Sequence, residues 1–83
     1  MNKVVIEVYV PLIEEKYDIF IPICKNINSI INLIIKAINE ISEDSIPDST
    51  NFELYNKVTG IRYNRNQIVK NTDIRNDSKL VLI

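Results

Sequence analysis

The stretch KVVIEVYVPLIEEKYDIFIPI (residues 3–23) decides how the rest of the chain is read. Its first eight residues alternate, with Val4, Ile6, Val8 and Val10 on one face of a strand and Val5, Glu7 and Tyr9 on the other. Pro11 ends that strand, because proline has no N–H to give to a ladder. After the connection PLIEEK the alternation resumes. Tyr17, Ile19, Ile21 and Ile23 then face inward, and Asp18, Phe20 and Pro22 face outward. Two such strands joined by about six residues predict an antiparallel hairpin. Pro22 puts the second strand at a sheet edge, or marks its end.

Working outward, NINSIINLIIKAINEIS (residues 26–42) changes to helical spacing. Asn26 is the predicted N-cap, its side-chain oxygen placed to accept from backbone N–H groups two or three residues on. Ile27, Ile30, Ile31, Ile34, Ile38 and Ile41 form one stripe, with Leu33 and Ile35 on its flanks. Asn28, Asn32, Lys36, Asn39, Glu40 and Glu43 form the opposite stripe. Isoleucine is only a fair helix former, so packing must hold this segment.

Residues 42–50 read as a polar loop stopped by Pro47, and residues 51–56 as a short strand. On that strand Phe52 and Leu54 share one face, and Glu53 and Tyr55 the other. A turn at Thr59-Gly60 leads to a shorter strand at 61–63; the sole glycine supplies the positive φ that such a turn needs. Residues 64–78 are irregular, with Val69 and Ile74 as anchors, and KLVLI (79–83) is the last strand. The order is β-β-α-β-β-β in a single α+β domain over residues 1–83. A hairpin, a one-faced helix, short strands and a closing strand make up the β-grasp arrangement. Its last strand enters the middle of a mixed, five-stranded sheet, parallel to the first, and the helix packs on one face. A central strand can be apolar at successive residues, as KLVLI is, because it is covered on both faces.

Composition narrows the function classes. An apolar fraction of 46% and a charged fraction of 25% are those of a globular domain. No stretch approaches the ~20 apolar residues of a bilayer span, and the start lacks the continuous apolar core of a signal peptide. The expectation is a cytoplasmic protein with no direct membrane insertion. Histidine is absent, which removes the commonest general base and transition-metal ligand. With one glycine no Gly-rich phosphate loop can be built. Cys24 is the single cysteine, so no internal disulfide can form. It precedes the helix cap, where a thiolate could be favoured, but no basic partner is evident and a lone cysteine ordinarily fills a core. Glu14-Glu15, Glu43, Asp44 and Asp48 are loop acids without calcium-loop spacing. We expect no catalytic residue, no cofactor and no metal.

Charge is uneven along the chain. Residues 1–53 carry four lysines against nine acids, whereas residues 54–83 carry six basic residues against Asp73 and Asp77. Solvated faces are the plain reading. The sharper one is a basic patch of Lys57, Arg62, Arg65, Lys70, Arg75 and Lys79 that meets an acidic partner. Nucleic acid is not expected, since the net charge is −1 and phosphate binding needs clustered positive charge. The outer sheet face gives a second candidate: Val5, Tyr9, Phe20, Tyr55, Val81 and Ile83 should point away from the helix. An apolar cluster there is a candidate contact for a protein partner or for a second copy in a homodimer.

ELYNKVTGIRYNRNQIVKNTDIRNDSKLVLI (residues 53–83) resembles the second half of ubiquitin-like domains. Thr72-Asp73-Ile74, Asp77-Ser78 and Leu80-Val81-Leu82 take the places of the anchored loop, the turn and the closing strand. YDIFIPICKNINSIINLIIKAI (residues 17–38) is similar to the strand, cap and helix of the same fold. Within that superfamily the chain looks most like the small YukD/EsaB-like accessory proteins of type VII (ESX-type) secretion in Gram-positive bacteria. The resemblance implies a cytoplasmic adaptor or regulator that acts by protein contact, with a cytosolic domain of a secretion-system membrane component as the candidate partner. It carries over no catalytic site. Conjugated modifiers and sulfur carriers of this fold end in a Gly-Gly tail. No glycine follows Gly60, so conjugation and sulfur transfer are not expected. A self-associating structural module is the alternative.

Overall fold

In the computed structural model, which describes residues 2–41 and 52–83, the hairpin forms from β1 (Lys3–Val10) and β2 (Glu15–Pro22). Val10 pairs with Glu15, so four residues rather than six make the connection. Ile13 N–H donates to the Val10 carbonyl and Glu14 N–H to that of Pro11, which curls the loop tightly. Glu14 completes the reversal at φ 54°, a left-handed conformation that costs a non-glycine residue about 1 kcal/mol.

The helix α1 (Ile27–Ile41) starts where Asn26 predicts: the Asn26 Oδ1 accepts from Ser29 N–H at 2.9 Å. The two preceding N–H groups are met from far along the chain. Ile27 donates to the Gln67 carbonyl and Asn28 to that of Arg65. The apolar stripe differs from expectation at two places. Ile35, placed on a flank, is buried, and Ile41, placed on the stripe, is 69% exposed in the last turn. The core needs a wider face over the middle of α1, and the sheet beneath gives no cover to Ile41. The expected acidic loop, with Glu43, Asp44, Pro47 and Asp48, lies outside the described residues.

β3 (Leu54–Asn56) and β4 (Ser78–Leu82) complete a four-stranded sheet of order β2-β1-β4-β3. β4 lies between β1, to which it is parallel, and β3, to which it is antiparallel. The fifth strand expected at 61–63 is reduced to one bridge, Tyr55 to Arg62. Gly60 turns the chain back at φ 76°, but pairing ends at Asn64, whose Oδ1 accepts from Asn66 N–H and curls the backbone away. On the inner face Ile6, Val8, Val10, Ile21, Leu54, Leu80 and Leu82 meet the helix isoleucines, and all of them are fully buried. Val69 and Ile74 pin the irregular segment onto this core, as the sequence predicts. Cys24, read as a core filler, is exposed in the turn between β2 and α1. The flanking backbone there is held by Lys70 N–H on the Ile23 carbonyl and Val69 N–H on that of Lys25, so the turn needs no buried side chain.

Two polar devices fix the second half. The Asn76 Oδ1 accepts from Val5 N–H at 2.9 Å while Asp77 N–H donates to the Val5 carbonyl at 2.8 Å, so a side chain continues the parallel ladder beyond β4. Asp77 reaches that position at φ 70°. Farther along, the buried Tyr63 hydroxyl donates to the Asp73 carboxylate at 2.6 Å, and Asn56 Nδ2 donates to the same hydroxyl at 3.2 Å. The Asn56 Oδ1 meanwhile accepts from Val58 and Thr59 N–H, so one asparagine joins the turn to the irregular segment. Burial, with the Asp73 hydrogen bond, pushes the Tyr63 pKa up from 10.0 to about 12.

Asn76→Ala should lower the unfolding free energy by about 1 kcal/mol, the net worth of one lost hydrogen bond, as read by urea denaturation. The pH dependence has a definite sign. The unfolded chain surrenders the Tyr63 proton near 10 and the folded chain near 12, so the folded state binds the proton over that interval. The stabilisation is whole below pH about 10 and is lost as pH rises toward about 12. Denaturant melts at stepped alkaline pH should show this fall, and Tyr63→Phe should lack its share of it.

Candidate protein-contact face

The strand register assembles the outer face row by row. Tyr9 is opposite Val81, and Val81 is opposite Tyr55, which makes one apolar row across β1, β4 and β3. Arg62 continues that row through its bridge to Tyr55. Ile83, two residues beyond Val81, lies on the same face and exchanges backbone hydrogen bonds with Glu53. The sequence therefore placed Tyr9, Tyr55, Val81 and Ile83 together. Val5 and Phe20 pair with each other, also on this face. Between the two groups runs a charged row, Asp18-Glu7-Lys79, with Lys57 next to Lys79 through a backbone hydrogen bond. The six residues are thus two apolar clusters divided by charge.

Exposure differs within the face. Phe20 is 69% and Ile83 58% exposed, whereas Val5, Tyr9, Tyr55 and Val81 are half-buried. Lys57 accounts for part of this cover, its Nζ standing 5.6 Å from the Tyr9 ring centroid. Leu12, 62% exposed in the hairpin loop, was not singled out from sequence. Its signal was there: an apolar residue in a turn where polar ones are usual. Because β1 and β4 are parallel, Leu12 and Ile83 emerge at the same end of the sheet.

The six basic residues do not converge. Lys57, Arg62 and Lys79 lie around the apolar row, with Lys79 Nζ 3.9 Å from Glu7 and Arg62 3.8 Å from Glu53. In each pair the cation is more than half exposed while the carboxylate side chain is only 25% exposed, and both separations are long for an ion pair. Arg65 is tied into the frame: it bonds Glu53 at 3.4 Å, the Asn28 Oδ1 and the Phe52 carbonyl, joining the first turn of α1 to the start of β3. Lys70 sits on the 3₁₀ turn at Val69–Asn71. Arg75 donates to the Thr72 and Ile74 carbonyls in the turn before β4. What the face offers is an apolar row rimmed by four cations, Lys16, Lys57, Arg62 and Lys79, and three acids, Glu7, Asp18 and Glu53. Among the described residues no three metal-ligating side chains converge, and no helix is long and apolar enough to cross a membrane.

No family model matches the chain, and no curated protein does. Solved structures do. The ubiquitin-like domain of the Mycobacterium tuberculosis type VII secretion protein EccD1 aligns with a TM-score of 0.76 at 13% identity, over 100% of this chain and 99% of that one. A chain of the ESX-5 inner membrane complex aligns with a TM-score of 0.73 at 11% identity; all of this chain matches 21% of it. A chain of the toluene 4-monooxygenase complex aligns at 0.76 with 4% identity, over 96% of this chain and 95% of that one. Likeness at such identities speaks for architecture alone. The chain has the ubiquitin-like fold, one helix on a mixed four-stranded sheet.

Proposed function

We propose that this chain is a non-enzymatic ubiquitin-like adaptor of a type VII secretion system, a cytoplasmic protein of the YukD/EsaB kind that works by being bound. The observation that carries the reading is the row Tyr9-Val81-Tyr55, extended by Ile83, on the sheet face opposite the helix. Two tyrosines, a valine and an isoleucine supply rigid apolar area with hydroxyl groups at its margin, the composition that anchors protein interfaces. The charges of both signs around the row, Lys57, Arg62 and Lys79 with Glu7, Asp18 and Glu53, would set the orientation of a partner with a complementary rim. The secretion reading draws on the sequence resemblance of residues 17–38 and 53–83, and it is consistent with the likeness of the whole chain to the EccD1 ubiquitin-like domain and to part of an ESX-5 membrane-complex chain. The partner we propose is accordingly a cytosolic domain of a membrane component of the same machine.

Calorimetry of the purified chain against such a domain is the test. Tyr55→Ala and Val81→Asp should each weaken binding by about thirtyfold, as loss of a central contact does, while Lys36→Ala on the exposed side of α1 should leave it unchanged. Absence of binding by the unaltered chain, or binding indifferent to Tyr55 and Val81, overturns the proposal.

A further inference from the structure

The two edges of the sheet are not alike. β3 is covered on its far side, where Asn56 N–H donates to the Ile61 carbonyl and Tyr63 N–H to that of Leu54, each at 2.9 Å. β2 is the other edge, and among the described residues no segment pairs with its far side. The register shows which of its groups point outward. Val5 spends its N–H and carbonyl on Asn76 and Asp77, toward β4, so by alternation Val4, Ile6 and Val8 bond toward β2. Their partners Ile21, Ile19 and Tyr17 are therefore satisfied, in step with Ile23 N–H on the Asn2 carbonyl. The N–H and carbonyl groups of Lys16, Asp18 and Phe20 are left facing outward.

An edge of this kind accepts another strand, and its side chains decide which. For two copies related by a two-fold axis the pairing is antiparallel and self-complementary. Five registers bring outward-facing residues opposite one another. Two centre on Asp18 or on Lys16, and like charges directly opposite repel. Two set Pro22, which has no N–H to give, against Lys16 or against Asp18. The fifth sets Lys16 of each copy against Asp18 of the other, so that these residues exchange their backbone hydrogen bonds and both charge pairs are of opposite sign. In this register the exposed Phe20 lies just beyond the paired residues, beside the hairpin loop of the other copy, which carries the exposed Leu12.

We propose that the chain forms a homodimer by antiparallel pairing of β2 with β2 in the Lys16–Asp18 register, joining the two four-stranded sheets into one. The two-fold axis then runs perpendicular to the joined sheet, and both outer faces look the same way. The pairing rests on the geometry of β2 alone and holds whether or not the secretion partner is the right one.

Sedimentation equilibrium at low ionic strength and rising concentration tests it, with backbone amide shifts as the second readout. The unaltered chain should self-associate weakly, as a small strand-edge contact does, with shifts concentrated at Lys16, Asp18 and Phe20. Asp18→Lys and Lys16→Asp are surface changes, and each should weaken association by about tenfold or more by setting like charges opposite one another. An equimolar mixture of the two variants should associate again, because each then meets the opposite charge. A chain that stays monomeric at millimolar concentration, association indifferent to either variant, or a mixture that does not recover overturns the proposal. So does a dimer lost only in Val81→Asp, which would lie on the outer face instead.

Discussion

The parallel pairing of Ile6–Tyr9 with Ser78–Val81 is the contact on which the rest of the molecule depends. Parallel neighbours cannot be joined by a tight turn, so everything between β2 and β4 must cross over. The helix makes that crossing on one face only, and the inner side chains of both central strands are sealed beneath it. The opposite face is left to whatever the outward residues can do. The row of two tyrosines and a valine lies on that face, outside the core beneath the helix.

The register of that central pair also explains why charge and apolar surface interleave as they do. Glu7 and Lys79 are opposite one another, and the rows on either side are apolar. A one-residue slip would exchange inner and outer faces of β4 and bury Lys79 and Val81 in place of Leu80. Asn76 opposes such a slip, because its side chain reaches Val5 only in the native alignment.

Much of this was legible in the chain itself, and the exceptions share a cause. The alternation of residues 3–10, the Asn26 cap, the Gly60 turn and the anchors Val69 and Ile74 are local patterns, and local rules decided them. The strand expected at 61–63 shrank to a bridge because the Asn64 side chain curls the backbone, a competition that β-propensity does not register. Ile35 and Ile41 exchanged roles because burial at the margins of a helical stripe is set by what lies opposite. Arg65 was counted with a surface patch, and its removal to the frame depends on Glu53, Asn28 and Phe52, none of them near it in sequence. That the six candidate contact residues share the outward side was legible, but their division by a charged row was not, since that needs the register between strands nearly the whole chain apart.

The bonds from Ile27 and Asn28 to the carbonyls of Gln67 and Arg65 have a consequence for how the molecule opens. An isoleucine-rich helix of 15 residues has little stability of its own, and here even its first turn is closed by chain some forty residues later. The helix cannot fray from its N-terminus unless the 65–70 segment lifts with it, and that segment also holds the turn at Ile23–Lys25. Helix start, turn and strap therefore form a single cooperative unit. Hydrogen exchange at the first turn of α1 should therefore follow release of the 65–70 segment more than fraying of the helix end.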